Sequence, residues 1–384
     1  MIGTLLAITT VKLILASCWG WTNDIPGTLV EAQAFLEGRV GFSSASVGGH
    51  PAIFPLGYYL LASGSLLASS WTGLPFAFWI KVPAILADLA VALMLKATPR
   101  GGDRLALAYM INPVTFLLSV YHGQLHTVAT AGVVLTLWCA DRCRWWWSGI
   151  ALGLAASVRH YFGVLILPLL MGCRRGRVPL LVSFGLVGVL ANVPLMSQTY
   201  HLRLAAPHWH HGTWGYTMLF LQGPRLLELC GLQGAASLTE TLDRVFHSYG
   251  PAVYWVWAVV FCGWVWRRYV QGRLTDLWRV ALFFFVGHYT ISPGFGVQWL
   301  IWALPLWLIV NRREAIGYSA LAGLFLAGSY WQATLNGTYG LASITANLGR
   351  LAPWDLAGVM LVGTIGLLTW GYCARATWRL ATGR

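Results

Sequence analysis

Apolar residues run along the chain in about thirteen charge-poor stretches, near 2–20, 53–71, 76–95, 105–122, 124–140, 147–158, 161–172, 178–196, 251–266, 277–292, 297–310, 316–333 and 355–373. Stretches of this kind predict helices that enter a bilayer, because backbone surrounded by lipid must satisfy its own hydrogen bonds. The pattern therefore predicts an all-α, polytopic transmembrane bundle of about 12–13 hydrophobic helices, with residues 1–384 as a single transmembrane domain. Two polar intervals are long enough to do chemistry, residues 21–52 and 197–250. In the first, Asn23-Asp24-Ile25-Pro26-Gly27 leads into a periodic segment ending at Glu37, with Leu29, Ala32, Phe35 and Leu36 on one face. Proline in the first turn and an acid just before it mark a helix start, so a short interfacial helix is expected with Asp24 at its N-terminal approach. The stretches 147–158 and 161–172 are short, roughly 18 Å each against a hydrocarbon core of about 30 Å. Their junction should place Arg159 and His160 inside the membrane profile.

Charge adds a direction to this pattern. Lys96, Arg100 and Arg104, then Arg142 and Arg144, then Arg174, Arg175 and Arg177, then Arg267, Arg268 and Arg273, then Arg312 and Arg313, occupy alternate loops, and the tail to Arg384 is basic too. Those loops are assigned to the cytoplasm, and all ten histidines then map to the opposite ends of the helices. The net charge of +13 is accounted for by this topology, so no nucleic-acid partner is expected. Thirteen full crossings cannot begin and end on one side, and the conflict localises to residues 53–95, where one of two stretches would be re-entrant or lie within the protein. Seven cysteines with no CxxC pair indicate neither a disulfide framework nor a zinc site. Lys12 interrupts residues 2–20 and no small-residue cleavage site follows, which predicts an uncleaved first span.

Candidate chemistry gathers at the histidine-rich ends. The cluster His208-Trp209-His210-His211-Gly212 offers imidazoles but no helical ligand spacing, and hydrogen bonding explains the clustering more simply than a metal. No metal and no cofactor are expected. Arg159, at the turn of the short hairpin, reads either as a ligand for an anion or as a snorkelling helix-end arginine. Asp88 lies deep in an apolar stretch, where an acid is either functional or a packing contact, with Asn112 or Lys81 as its partner. Trp214, Tyr216, Gln298 and Trp299 offer aromatic faces and an amide that could contact a substrate, although many of the 22 tryptophans must belong to interfacial belts.

The order of these segments resembles the type-C (GT-C) integral-membrane glycosyltransferases, which take sugars from polyprenyl-phosphate carriers. The resemblance rests on an acid after the first span followed by "EAQAFLEGRVGF", then "PAIFPLGYYLL", "KVPAILADLAVALML", "INPVTFLLSVYHGQLHTVAT", "SGIALGLAASVRHYFGVLILPLL", "WGYT" and "SPGFGVQWLIWALPL". It implies that Asp24 is the catalytic base and that Arg159 holds the donor phosphate; on that reading His160 and His288 assist Arg159 or else serve as buried hydrogen-bonding residues, and His122, Gln124, His126, Trp214, Tyr216 and Gln298 are expected to line the substrate site. Relatives often show Gly-Gln followed two positions on by an acid, whereas this chain has Gly123-Gln124-Leu125-His126, which favours a metal-independent reaction. The implied activity is inverting transfer of mannose, or another hexose or pentose, to a glycolipid or glycan acceptor on the non-cytoplasmic face, in a bacterial inner membrane. A secondary transporter or lipid flippase is the alternative, to which Asp88 and the Asn112-Pro113 break lend slight support, but no inverted repeat is visible. A membrane acyl or phospho transferase would share the lipid-phosphate logic, yet no positioned Ser or Cys nucleophile is recognisable.

Overall fold

Apolar stretches form helices nearly everywhere in the computed structural model, which describes residues 1–20, 24–38, 54–173, 175–195, 215–216, 219–220, 223, 235–293, 296–336 and 353–383. The described residues contain no β-strand. The helices are α1 (Ile2–Cys18), α2 (Asp24–Leu36), α3 (Leu56–Thr72), α4 (Phe76–Trp79), α5 (Val82–Ala97), α6 (Asp103–Met110), α7 (Pro113–Phe116), α8 (His126–Ala140), α9 (Trp145–Val158), α10 (Ile166–Gly172), α11 (Arg177–Phe184), α12 (Ala235–Val270), α13 (Leu277–Ile291), α14 (Leu304–Val310), α15 (Arg312–Asn336) and α16 (Pro353–Thr382). Phe76–Ala97 and Ala357–Thr382 are each long and apolar enough to cross a bilayer, and Asp103–Met110 with Pro113–His122 does so only as a bent pair. Large apolar side chains face outward on many helices, among them Trp71 (83% exposed), Val259 (70%) and Ile316 (69%). A soluble protein of this size would not carry so much bare apolar surface, whereas lipid covers it at no cost. The chain is an integral membrane protein.

The residues group into two compact units. The first comprises Met1–Ala205, Cys262–Ala281 and Ile301–Arg312, and the second Ala206–Phe261, Leu282–Leu300 and Arg313–Arg384. Within the first, α9 is rich in small residues and packs closely against α8 and α11. A side chain at Gly149 would strike Ser183, and one at Gly153 would strike Val187. Close approach of small residues is the usual source of helix cohesion in lipid. Within the second unit, Trp257 lies across Gly287 and its indole N–H donates to the Phe284 carbonyl at 3.1 Å.

The first unit is tied together by a buried polar knot. Lys12 Nζ meets Asp88 Oδ2 at 2.6 Å, both side chains fully buried, and the Tyr109 hydroxyl donates to Asp88 Oδ1 at 3.0 Å. Lys12 also donates to Thr115 Oγ1 at 3.3 Å. Asp88 is thus a packing contact, but its partner is Lys12 rather than Asn112 or Lys81. Removing one member strands the other charge in an apolar interior, at a cost of about 3–5 kcal/mol, whereas replacing both by apolar residues is often near neutral. Lys12→Met is therefore expected to lower the thermal unfolding midpoint in detergent sharply, and Lys12→Met with Asp88→Leu to restore most of it. A single variant as stable as wild type would mean that the pair does not hold the helices.

Two local devices carry the chain from this knot to the polar end of the unit. Pro113 lacks an N–H and keeps Asn112 extended (ψ 134°), so the helix breaks there with a 47° bend and restarts under the Asn112 side chain, which accepts from the Val114 N–H at 3.0 Å. The restarted helix widens into a π-helical turn over Leu117–His122 and stops at Gly123, whose φ of +75° suits glycine. Lys81 then braces the neighbouring loop. Its ammonium donates to the Ala16 and Trp19 carbonyls at 3.1 and 2.7 Å, capping α1, while its stem passes so close to Gly123 that a Cβ there would lie 2.7 Å from Lys81 Cγ.

Candidate active site

At the end of the first unit reached by those devices, three elements converge on Asp24. The helix α2 begins at Asp24 and packs on α3, with Phe35 stacked on Tyr59 at 5.6 Å and the Ser63 hydroxyl donating to the Ala32 carbonyl at 3.2 Å. The buried face runs through Thr28, Ala32 and Ala34, while Leu36 is exposed, so the face lies partly around from the one expected through Leu29 and Leu36. Gln124 Nε2 donates to Asp24 Oδ2 at 2.6 Å. His122 Nε2 lies 2.9 Å from the same oxygen, near enough for an ion pair with a protonated ring although off the hydrogen-bond direction. The carboxylate keeps 21% of its side-chain surface open. With its nitrogen committed to Asp24, the Gln124 amide leaves Oε1 buried and without a donor among the described residues.

Beside this lies a cationic corner. Arg159 follows α9 in extended backbone (φ −142°) before the tight turn His160–Leu165, and is only 4% exposed. Its guanidinium sits 4.7 Å from the Phe54 ring centroid and 5.5 Å from that of Tyr58. Its Nη2 is 2.8 Å from His126 Nε2, and Trp302 Nε1 is 3.1 Å from His126 Nδ1. A neutral imidazole has one N–H and one lone pair, whereas guanidinium and indole only donate, so both contacts cannot be hydrogen bonds at once. The corner is short of an acceptor. No carboxylate of the described residues forms an ion pair with Arg159.

One acid here is not anticipated from the sequence. Glu31 accepts from the Tyr58 hydroxyl at 2.7 Å, and the same hydroxyl is 3.1 Å from Thr28 Oγ1. Burial pushes Glu31 up to about 7, against the Tyr58 hydrogen bond and the Arg159 charge, which pull it down, and with a smaller upward push from Asp24. Its spacing from Asp24 and Thr28, seven and three residues, puts all three on one helix face and is the available signal.

The remaining expected site residues have the following immediate neighbours. His160 is half-buried and meets the edge of Tyr161. His288 is buried in the second unit between Tyr254 and Trp299, and the Tyr216 hydroxyl in that unit donates to the Ile291 carbonyl at 3.1 Å. Gln298 is half-buried in the turn Val297–Ile301. Asn23, Trp214, His201, His208, His210 and His211 lie outside the described residues, as does the His247 side chain. Among the described residues no three His, Cys, Asp or Glu side chains converge as metal ligands would.

A helical membrane protein with a partly exposed carboxylate beside a buried, acceptor-poor guanidinium has the parts of a group-transfer enzyme acting at the bilayer. The family model for glycosyltransferase family 87 matches residues 50–293, well over half the chain, and the chain belongs to that family. It is a membrane glycosyltransferase. Gln124, His126 and Arg159 fall within the matched stretch, whereas Asp24 and Glu31 precede it. Comparison with curated proteins and with solved structures gives no match.

Proposed function

We propose that the enzyme transfers a sugar, with inversion, from a polyprenyl-phosphate carrier to a glycolipid or glycan hydroxyl on the non-cytoplasmic face of a bacterial inner membrane. The observation that carries the reading is Arg159, a buried guanidinium with no paired carboxylate among the described residues and a donor-rich neighbour in His126 and Trp302. A buried charge of this kind calls for an anion, and a phosphodiester supplies both the charge and the missing acceptors. Asp24 would take the acceptor proton as that oxygen attacks the anomeric carbon, and the bond from that carbon to the phosphate oxygen would break. The pair of electrons leaves with the phosphate, whose growing charge Arg159 is placed to stabilise. Gln124 orients the carboxylate through its nitrogen and offers its buried oxygen to a sugar hydroxyl. Contact of His126 with a guanidinium makes it a poor ligand for a metal cation, which supports a metal-independent reaction.

Orientation follows from the ends of the helices in the first unit. The helices α5 and α8 start near Lys81 and His126 and finish near Lys96 and Arg142, so the site and the arginine-rich loops lie at opposite ends. By the positive-inside rule the site faces away from the cytoplasm. The test is transfer by purified protein in detergent from a panel of radiolabelled polyprenyl-phosphate sugars to a membrane glycolipid extract, with and without chelator. Chelator-resistant transfer from one donor is expected. Solute flux in liposomes with no transfer from any donor would overturn the reading in favour of a transporter.

A further inference from the structure

We propose that Glu31 is the resident counter-charge of the Arg159 corner and must take up a proton for the donor's phosphate to bind there. This rests on the assignment of Arg159 as the phosphate site. The geometry is a three-part bridge through one side chain. Tyr58, on α3 and 5% exposed, presents its ring to the Arg159 guanidinium at 5.5 Å and its hydroxyl to Glu31 Oε2 at 2.7 Å. Phe54, stacked on Tyr58 at 4.0 Å between centroids, brings its own ring to 4.7 Å from the same guanidinium. The charged and titratable groups acting on Glu31 are therefore Tyr58 from α3, Arg159 from the end of α9 and Asp24 from its own helix.

Without donor, an ionised Glu31 partly balances Arg159 across the aromatic pair. A phosphodiester arriving at Arg159 takes over that balance, and the Glu31 carboxylate then sits near two negative groups, the phosphate and Asp24. Low-dielectric surroundings make that repulsion strong, and one proton on Glu31 removes it. With Glu31 titrating near 7 before donor binds, the sign follows. Below that pH the acid is already neutral and affinity is flat. Above it each binding event must draw a proton from solvent, so affinity falls by up to about tenfold per pH unit. Glu31 makes no bond to the donor and passes no proton to it. Its role is to set the charge of the pocket.

The test measures binding of farnesyl methyl phosphodiester, whose single negative charge does not change between pH 5.5 and 9, to the full-length protein in detergent. Wild type should bind with a flat affinity at the acid end and a progressive loss above about pH 7, with proton uptake visible as a buffer-dependent heat of binding. Glu31→Gln, which can still accept from Tyr58, should bind at the acid-end affinity across the whole range with no proton uptake. Tyr58→Phe removes a bond that favours the carboxylate and should move the midpoint to higher pH. Flat wild-type binding that is lost in Arg159→Met would keep the phosphate site and overturn the coupling, as would a Glu31→Gln variant with the wild-type slope. No binding at any pH, or binding indifferent to Arg159→Met, would overturn the phosphate site and the coupling with it.

Discussion

Asp24→Asn is expected to lower the rate of sugar transfer by about 10²–10⁴-fold, the range lost when a general base is removed, with donor binding nearly unchanged. The substitution keeps the shape of the side chain and an oxygen that can accept from Gln124 Nε2, which lies 2.6 Å from the native carboxylate, so α2 should keep its place. What it removes is the ability to accept a proton from the attacking hydroxyl. Because the carboxylate is tethered by Gln124 and flanked by His122, it is held ready rather than free to swing. Among the described residues, Glu31 is the neighbouring acid that could act in its stead. If Asp24→Asn kept more than a tenth of the rate while Glu31→Gln abolished transfer above pH 7, where Glu31 is ionised, the base would be Glu31. Measured at saturating acceptor and sub-saturating donor, the expected result is the reverse, with Glu31→Gln as active as wild type at low pH and improved above pH 7.

Much of this architecture is legible in the order of residues alone. Charge-free runs announce the helices, and short stretches around Arg159 announce a buried arginine, because neither reading depends on what packs against what. Asp24 is found by resemblance rather than by periodicity, and the fold adds what holds it. Partners distant in sequence are not legible. Nothing local to Lys12 points across 76 residues to Asp88, and an apolar stretch broken by one lysine reads only as an interruption. Lys81 is a candidate partner for that acid by its position, yet it caps α1 instead, since a helix C-terminus offers carbonyls that need a donor. Glu31 escapes notice for a different reason. Leu29 and Leu36 suggest one apolar face for α2, and a small rotation of the helix turns Thr28 and Glu31 inward against Tyr58. Register on a short helix depends on its neighbour, and α3 decides it here.

Arg159→Met is expected to separate activity from stability. Loss of one preorganised donor to a developing oxyanion costs about 10²–10³-fold in rate, or about 2.7–4 kcal/mol of barrier, and a full charge on the leaving phosphate places Arg159 at the upper end. Folding should respond in the opposite sense. The guanidinium is 4% exposed with no carboxylate paired to it directly among the described residues, so in the empty site its desolvation cost is only partly offset, by Glu31 across the aromatic pair. Methionine of similar length replaces that charge by an apolar stem beside Phe54, Tyr58 and His126, and such replacements are often neutral or stabilising. The thermal midpoint of Arg159→Met without substrate should therefore equal or exceed that of wild type, while transfer collapses. Arg159→Lys should recover part of the rate, because an ammonium keeps the charge but not the paired donors that fit a phosphate. Parallel loss of stability and activity in Arg159→Met would make the residue a structural strut between α9 and Phe54. Retained activity in a folded variant would move the phosphate site elsewhere. The expected divergence is what marks a charge that the protein carries for its substrate rather than for its fold.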